Sequence, residues 1–260
     1  MDVKVAEPEV NLATAHEMVT QAAAGGAHLV VLPELWGSGY DLPHAAQYAT
    51  ALDAGFFRQM GAWAREYGLH VAGSLLEAGD GRVFNTCALF GPHGLVGSYR
   101  KLHLIGLMDE DRYLAPGDRP ALCPDLPWGP TGLAICYDLR FPELLRGYGV
   151  AGAQLVILPA QWPERRIEHW RVLLRARAIE NQCIVAACNR VGADPPPADG
   201  SKPPTVFGGA SAVIGAWGEA LAEGDDQPAL LMAAADVSRI QEARDFLPVF
   251  RDRRPECYET

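Results

Sequence analysis

The spacing of apolar residues divides this chain into helices and strands. Leu12, Ala15, Val19 and Ala22 recur at helical intervals, predicting a helix over 11–24 that Asn11 caps and Gly25-Gly26 stops. An unbroken apolar run over 27–32 reads as a strand buried on both faces. Leu52, Phe56, Met60 and Trp63 place a second helix over 50–67, ended by Gly68, and a strand follows over 69–76. Strands over 84–90 and 95–99 are joined by Gly91-Pro92-His93-Gly94, a hairpin signal. An irregular, charged stretch then runs to about 130. A short apolar run ending at Cys136 reads as a buried strand, and Pro142 opens a helix, because proline suits a first helical turn. Further on, a strand is expected over 153–158, a helix over 168–180, and strands over 183–189 and 210–214.

Two of these runs match. Gly26-Ala27-His28-Leu29-Val30-Val31-Leu32-Pro33-Glu34-Leu35-Trp36 aligns with Gly152-Ala153-Gln154-Leu155-Val156-Ile157-Leu158-Pro159-Ala160-Gln161-Trp162. Each copy follows a helix and precedes a longer helix, a strand and a hairpin. The chain is therefore expected to use one α/β unit twice, related by approximate twofold symmetry. Two mixed sheets packed face to face, with helices on their outer faces, would bury such apolar strands on both sides. This predicts an α/β fold, a four-layer α-β-β-α sandwich forming a single domain over 1–260. A continuous doubly wound sheet is the alternative; the hairpins count against it, since parallel strands need crossovers. The second unit opens with the strand ending at Cys136. The first has only 1–6 for its matching strand, so the chain is expected to start late, with that strand short or absent. The proline-rich stretch 194–204 is expected to be a surface loop, and 248–260 an arm packing on the domain or on a partner subunit.

Composition places few further limits. With 49% apolar and 21% charged residues the chain is an ordinary globular one. No apolar run reaches the ~18 residues of a membrane span, and no basic segment precedes an apolar one as in a secretory signal. A net charge of −10 argues against a nucleic-acid surface. The six cysteines show neither CxxC nor zinc-ligand spacing, and most lie in apolar runs, as reduced thiols of a cytoplasmic protein would. No metal or organic cofactor is expected.

The mismatches within the repeat locate candidate chemistry. Glu34 stands where the second unit has Ala160, and a carboxylate at the end of a buried strand is costly unless paired. It is either half of an ion pair or a general base tuned by burial. Cys136, at a strand-to-helix switch, is either an inert buried thiol or a nucleophile beside amides that receive an oxyanion. Lys101 ends a strand; it is a solvated strand end unless the sheet edges bring it to Glu34 and Cys136, where it would favour a thiolate and an oxyanion. Glu110 is ambiguous beside Asp109 and Asp111. His103 or His169 would serve a Cys-His dyad, though no local protease signature supports one, and His169-Trp170 reads better as packing or capping.

Leu32-Pro33-Glu34, Tyr99-Arg100-Lys101-Leu102-His103-Leu104 and Ile135-Cys136-Tyr137-Asp138-Leu139-Arg140-Phe141-Pro142-Glu143 resemble, in order, the three signature blocks of the nitrilase, or carbon–nitrogen hydrolase, superfamily. The likeness extends over nearly the whole chain, including Arg177-Ala178-Ile179-Glu180-Asn181 and Trp217-Gly218-Glu219. The superfamily's four-layer sandwich agrees with the duplication. The resemblance implies Cys136 as nucleophile, Glu34 as general base, Lys101 as oxyanion partner and Glu110 as the glutamate that orients lysine and substrate. It also implies that Tyr137 lends its backbone N–H to the oxyanion hole. The Cys136 block and Pro159-Ala160-Gln161-Trp162-Pro163 look most like the omega-amidase branch, which cleaves the ω-amides formed by 2-oxo acids, such as 2-oxoglutaramate, through a thioester. Gln161 departs from the acidic residue of close relatives, leaving substrate preference open. An N-carbamoyl amidase, an aliphatic amidase or a non-catalytic binding protein are the alternatives. Trp162 and Arg166 are the candidate substrate-binding side chains, Arg166 for a carboxylate. Arg140 and Arg177 are expected in structural ion pairs, and the resemblance implies a homodimer.

Overall fold

A computed structural model of the chain describes residues 1–196 and 203–258. The middle of the proline-rich loop and the last two residues of the C-terminal arm lie outside the described residues. The described helices are α1 (Pro8–Ala24), α2 (Ala45–Tyr48), α3 (Gly55–Tyr67), α4 (Glu110–Tyr113), α5 (Pro142–Val150), α6 (Ile167–Asn181) and α7 (Ser238–Phe246). The strands of the first unit are β1 (Leu29–Val31), β2 (His70–Gly79), β3 (Arg82–Gly91) and β4 (Gly94–Arg100). Those of the second are β5 (Ala121–Cys123), β6 (Thr131–Leu133), β7 (Leu155–Ala160), β8 (Ile184–Asn189), β9 (Val191–Ala193), β10 (Val206–Gly208), β11 (Ala212–Ile214) and β12 (Ala220–Glu223).

The first sheet runs β1-β2-β3-β4 and the second β12-β11-β8-β7-β6-β5, with β9 and β10 forming a separate ribbon. β1 is parallel to β2, and β2, β3 and β4 are antiparallel in turn. The second sheet repeats that pattern: β7 is parallel to β8, and β8, β11 and β12 are antiparallel. The repeated block thus folds twice with one topology. The second unit adds β6, parallel to β7, and β5 beside it. Among the described residues β1 is paired on one side only, and an apolar cavity of about 610 Å³ lined by Leu29, Val31, Ile184 and Leu230 lies there.

Apolar faces fix the layers. Val19 of α1 and Phe57, Met60 and Trp63 of α3 join Val71 and Phe90 on the outer face of the first sheet. Ala72, Cys87 and Leu89 of that sheet belong to one core with Leu133, Ile157 and Val185 of the second. Leu145 of α5 and Trp170 and Leu174 of α6 close the same core from outside. The order is helix, sheet, sheet, helix. No described helix is long and apolar enough to cross a membrane.

Three elements differ from the sequence expectation. α1 begins at Pro8, and Asn11, expected as its cap, is fully buried inside it. Its amide accepts from the Lys4 N–H at 2.7 Å and donates to the carbonyls of Lys4 and Gly37 at 2.6 and 3.0 Å. α3 begins at Gly55, because Thr50 instead bridges Glu77 at the end of β2. The strand expected to reach Cys136 ends at Leu133, and Cys136 opens a 3₁₀ turn, Cys136–Arg140.

Candidate active site

The duplication brings the ends of β1 and β7 together: the Glu34 N–H points to the carbonyl of Ala160, its matched position, at 3.5 Å. Glu34 is fully buried. Its Oε1 accepts from Lys101 Nζ and from Asn85 Nδ2, each at 2.8 Å, and its Oε2 from the Gln161 N–H at 2.9 Å. The Gln161 side chain is engaged in two buried hydrogen bonds. It donates to the Glu34 carbonyl at 2.6 Å and accepts from Arg190 Nη1 at 2.7 Å.

Lys101, fully buried just past β4, also donates to Glu110 Oε1 at 2.7 Å. Glu110 opens α4; its Oε1 accepts from the Tyr40 hydroxyl at 2.8 Å and its Oε2 from the Ile105 N–H at 2.9 Å. One ammonium therefore sits between two carboxylates whose four oxygens each accept at least one hydrogen bond, the condition under which buried ions are tolerated. Burial pulls the Lys101 ammonium down, but the charges of Glu110 and Glu34 outweigh it and hold it above the usual lysine range. Burial pushes the Glu110 carboxyl up, opposed by Lys101 and reinforced by Glu34.

Cys136 adopts a left-handed backbone with φ of 46°, which side chains other than glycine adopt at a cost. The turn is held by Asp138, buried behind it. Asp138 Oδ2 accepts from the Ile135 N–H at 2.8 Å and the Tyr99 hydroxyl at 2.9 Å. Its Oδ1 accepts from His103 Nδ1 at 2.7 Å. His103 also stacks on Phe141 at 3.6 Å between ring centroids, so it is committed to Asp138 rather than to a thiol dyad. Burial pushes the Cys136 thiol well above its ordinary range, and the Glu34 charge adds to this against the opposing Lys101. These surroundings favour the neutral thiol over the thiolate, with the Glu34 carboxylate in range to take its proton.

Cys136 opens onto a pocket of about 340 Å³ whose wall includes Tyr137, Arg140, Trp162, Arg166 and His169. Glu34, Lys101 and Glu110 are buried against the thiol and do not line it. Trp162 is buried, its indole N–H donating to the Arg166 carbonyl at 2.8 Å. Arg177 pairs with Glu180 at 2.8 Å, as expected. Among the described residues Arg140 does not form the expected ion pair: its guanidinium lies 4.5 Å from the Trp162 ring centroid, facing the pocket. His169, expected to pack or cap, lies on the pocket wall 3.4 Å from the same guanidinium. Asn85, Tyr40 and Asp138 position the site without having been marked by sequence. Among the described residues no group of three or more His, Cys, Asp and Glu could hold a metal ion.

Comparisons with known proteins agree with this geometry. The family model described as carbon-nitrogen hydrolase matches residues 1–245. The 2-oxoglutaramate amidase of Bacillus subtilis is 37% identical, covering 99% of this chain and 96% of its own. The human omega-amidase NIT2 is 34% identical, covering 95% of this chain and 91% of its own. Among solved structures, a glutamate-to-glutamine mutant of the amidase from Nesterenkonia sp. AN1 shows acrylamide added to its active-site cysteine. It is 30% identical with a TM-score of 0.79, covering 95% of each chain. A match of this extent, on a twice-used α/β unit whose strand ends meet around a buried cysteine, makes the chain a member of the carbon–nitrogen hydrolase family.

Proposed function

We propose that the chain is a cysteine amidase acting on short ω-amides derived from 2-oxo dicarboxylic acids, with 2-oxoglutaramate as the type. The single observation that carries the reading is the convergence of Glu34, Lys101 and Glu110 on the Cys136 thiol at a pocket. The names of the relatives support the substrate class. Glu34 takes the thiol proton as sulfur attacks the amide carbon. The oxyanion is received by Lys101 Nζ and by the Tyr137 N–H, which lies in the first turn of a 3₁₀ segment where amides lack helical partners. Collapse breaks the C–N bond; the leaving nitrogen receives its proton from Glu34 and departs as ammonia, leaving a thioester. Glu34 then deprotonates a water that attacks the thioester carbon, releasing the acid and restoring the thiol. Glu110 orients Lys101 throughout. Trp162 forms a pocket wall, and Arg166 faces the substrate carboxylate.

The reading extends to assembly and compartment. Val172 and Ile179 on one face of α6, with Trp217 and Phe246 in a tilted ring contact nearby, are exposed apolar residues suited to a homodimer interface. Six unpaired cysteines fit a reducing cytoplasm.

The experiment is ammonia release from 2-oxoglutaramate, glutamine, butyramide and an N-carbamoyl amino acid, with Cys136→Ala as control. The reading expects 2-oxoglutaramate to be the best substrate and the variant to be inactive. Turnover surviving in Cys136→Ala refutes the mechanism, and preference for the carbamoyl compound refutes the substrate class. An acyl adduct of the intact protein, seen by mass spectrometry during turnover, supports the thioester.

A further inference from the structure

The two units differ at the edge of one strand. Leu29 and Val31 of β1 match Leu155 and Ile157 of β7 in the repeat. In the second unit those positions hold the β6 segment: the Leu155 N–H donates to the Pro130 carbonyl at 3.3 Å, and the Ile157 carbonyl accepts from the Ala134 N–H at 3.1 Å. In the first unit β1 meets β2 through the alternate positions. The His28 carbonyl accepts from the His70 N–H at 2.9 Å, and the Leu32 N–H donates to the Ala72 carbonyl at 2.8 Å. Main-chain groups alternate in direction along a strand, so those of Leu29 and Val31 point to the opposite edge. Among the described residues no strand meets them there. Backbone groups facing an apolar cavity are costly to leave unpaired. The walls of the 610 Å³ cavity beside this edge include Met18 and Ala22 of α1, and Ile184 and Ala212 of the second sheet. Leu230 and Met232 line it too. They belong to residues 229–235, an unbroken apolar run that forms neither helix nor strand and is half-buried or exposed. In the second sheet the strand beyond β6 is the antiparallel β5. An apolar run with no strand partner, beside a strand edge with none, leaves room for one strand between them.

We propose that β1 and residues 229–235 form an acceptor slot for one extended, uncharged apolar peptide segment. It enters parallel to β1 and pairs with Leu29 and Val31 as the β6 segment pairs with Leu155 and Ile157. The recognition is strand addition: main-chain bonds fix direction and register, and apolar side chains fill the cavity. A hydrocarbon chain fills the cavity equally well but supplies neither an acceptor for the Leu29 N–H nor a donor for the Val31 carbonyl. A charged segment is disfavoured, because among the described residues no Asp, Glu, Lys or Arg lines the cavity. The slot is separate from the amide chemistry, since none of its residues lines the Cys136 pocket.

The test adds to the whole chain a synthetic peptide carrying residues 130–135, the β6 segment itself, followed by two lysines for solubility. A control peptide is N-methylated at the positions of Gly132 and Ala134, which keeps the apolar side chains and removes the donors on the pairing edge. A fusion places residues 130–135 directly ahead of Met1, which itself lines the cavity. Saturating peptide is expected to raise the melting temperature by about 4 °C or more. It is also expected to slow amide hydrogen exchange at least about tenfold over 27–33 and 229–235. The fusion is expected to do both without added peptide. The N-methylated peptide is expected to do neither. Met232→Asp, at an exposed position, is expected to weaken peptide binding at least about tenfold. An equal response to the N-methylated peptide makes the cavity a site for any apolar filler and overturns the proposal. Protection of 27–33 that appears without peptide and grows with protein concentration also overturns it, because a second copy then covers the edge. So does the absence of any shift with both the peptide and the fusion.

Discussion

Lys101 bears the heaviest electrostatic duty of any single residue, since Glu34 and Glu110 both rely on its ammonium inside a fully buried cluster. Replacing it by methionine leaves two buried carboxylates facing each other; the loss of a buried partner costs about 3–5 kcal/mol. Lys101→Met is expected to unfold at markedly lower urea concentration than the wild type, read by circular dichroism, whereas Cys136→Ala is expected to stay close to it. Glu34→Gln removes the base while keeping an amide-sized group, and kcat is expected to fall about 10²- to 10⁴-fold in the ammonia assay. The raised Glu110 carboxyl gives the pH dependence its sign. As pH falls, Glu110 takes up a proton above the usual glutamate value of about 4.3, stripping Lys101 of one counter-charge. The acid limb of the kcat/KM profile is expected above that value and is expected to shift down in Glu110→Gln. At this scale the sequence exposed Glu34, Lys101 and Cys136 through their blocks, and left Glu110 ambiguous beside Asp109 and Asp111 until the family resemblance singled it out. It did not expose Asn85, Tyr40 or Asp138. Asn85 and Tyr40 each hold a site carboxylate by one hydrogen bond across 51 and 70 positions, and Asp138 holds the Cys136 turn by bonds to Ile135, Tyr99 and His103, up to 39 positions away; no local pattern marks such long-range bonds.

Among the elements, the long amphipathic and fully apolar segments declared themselves and the short ones did not. The periodicity of Phe56, Met60 and Trp63 located α3, and continuous apolar runs located β7 and β8. β5 is only three residues within a charged stretch, and its position depends on β6 and on the Tyr148 hydroxyl, which accepts from the Ala121 N–H at 3.1 Å. Asn11 shows why a residue type can mislead about an element. Asparagine is a good helix cap, yet here its amide sits inside α1 and ties the preceding segment to the Glu34 loop through Lys4 and Gly37. Asn11→Ala orphans those backbone groups and is expected to destabilise the fold by about 1–3 kcal/mol, measurable as a lower urea midpoint with unchanged slope.

Over the whole molecule, the active site lies on the seam between the two units, so its integrity depends on both. Arg190, fully buried at the end of β8, is the tie. It donates to Gln161, to Asp194 and to the carbonyl of Val3, joining the N-terminal segment to the side chain that grips the Glu34 carbonyl. Arg190→Met is expected to lower the melting temperature and the turnover number together, while leaving the 2-oxoglutaramate/butyramide ratio near the wild-type value. The duplication itself was readable because the repeated strands are apolar on both faces. The site's seam was not, because it depends on where two strand ends meet in space.

The left-handed torsion of Cys136 also limits which nucleophiles this scaffold could ever carry. A serine fits the same backbone, so conversion to an alcohol-based hydrolase is held back only by the acidity of the hydroxyl. A threonine does not, because branching at its β-carbon crowds a positive-φ main chain. Evolution or engineering at this position is confined to unbranched side chains.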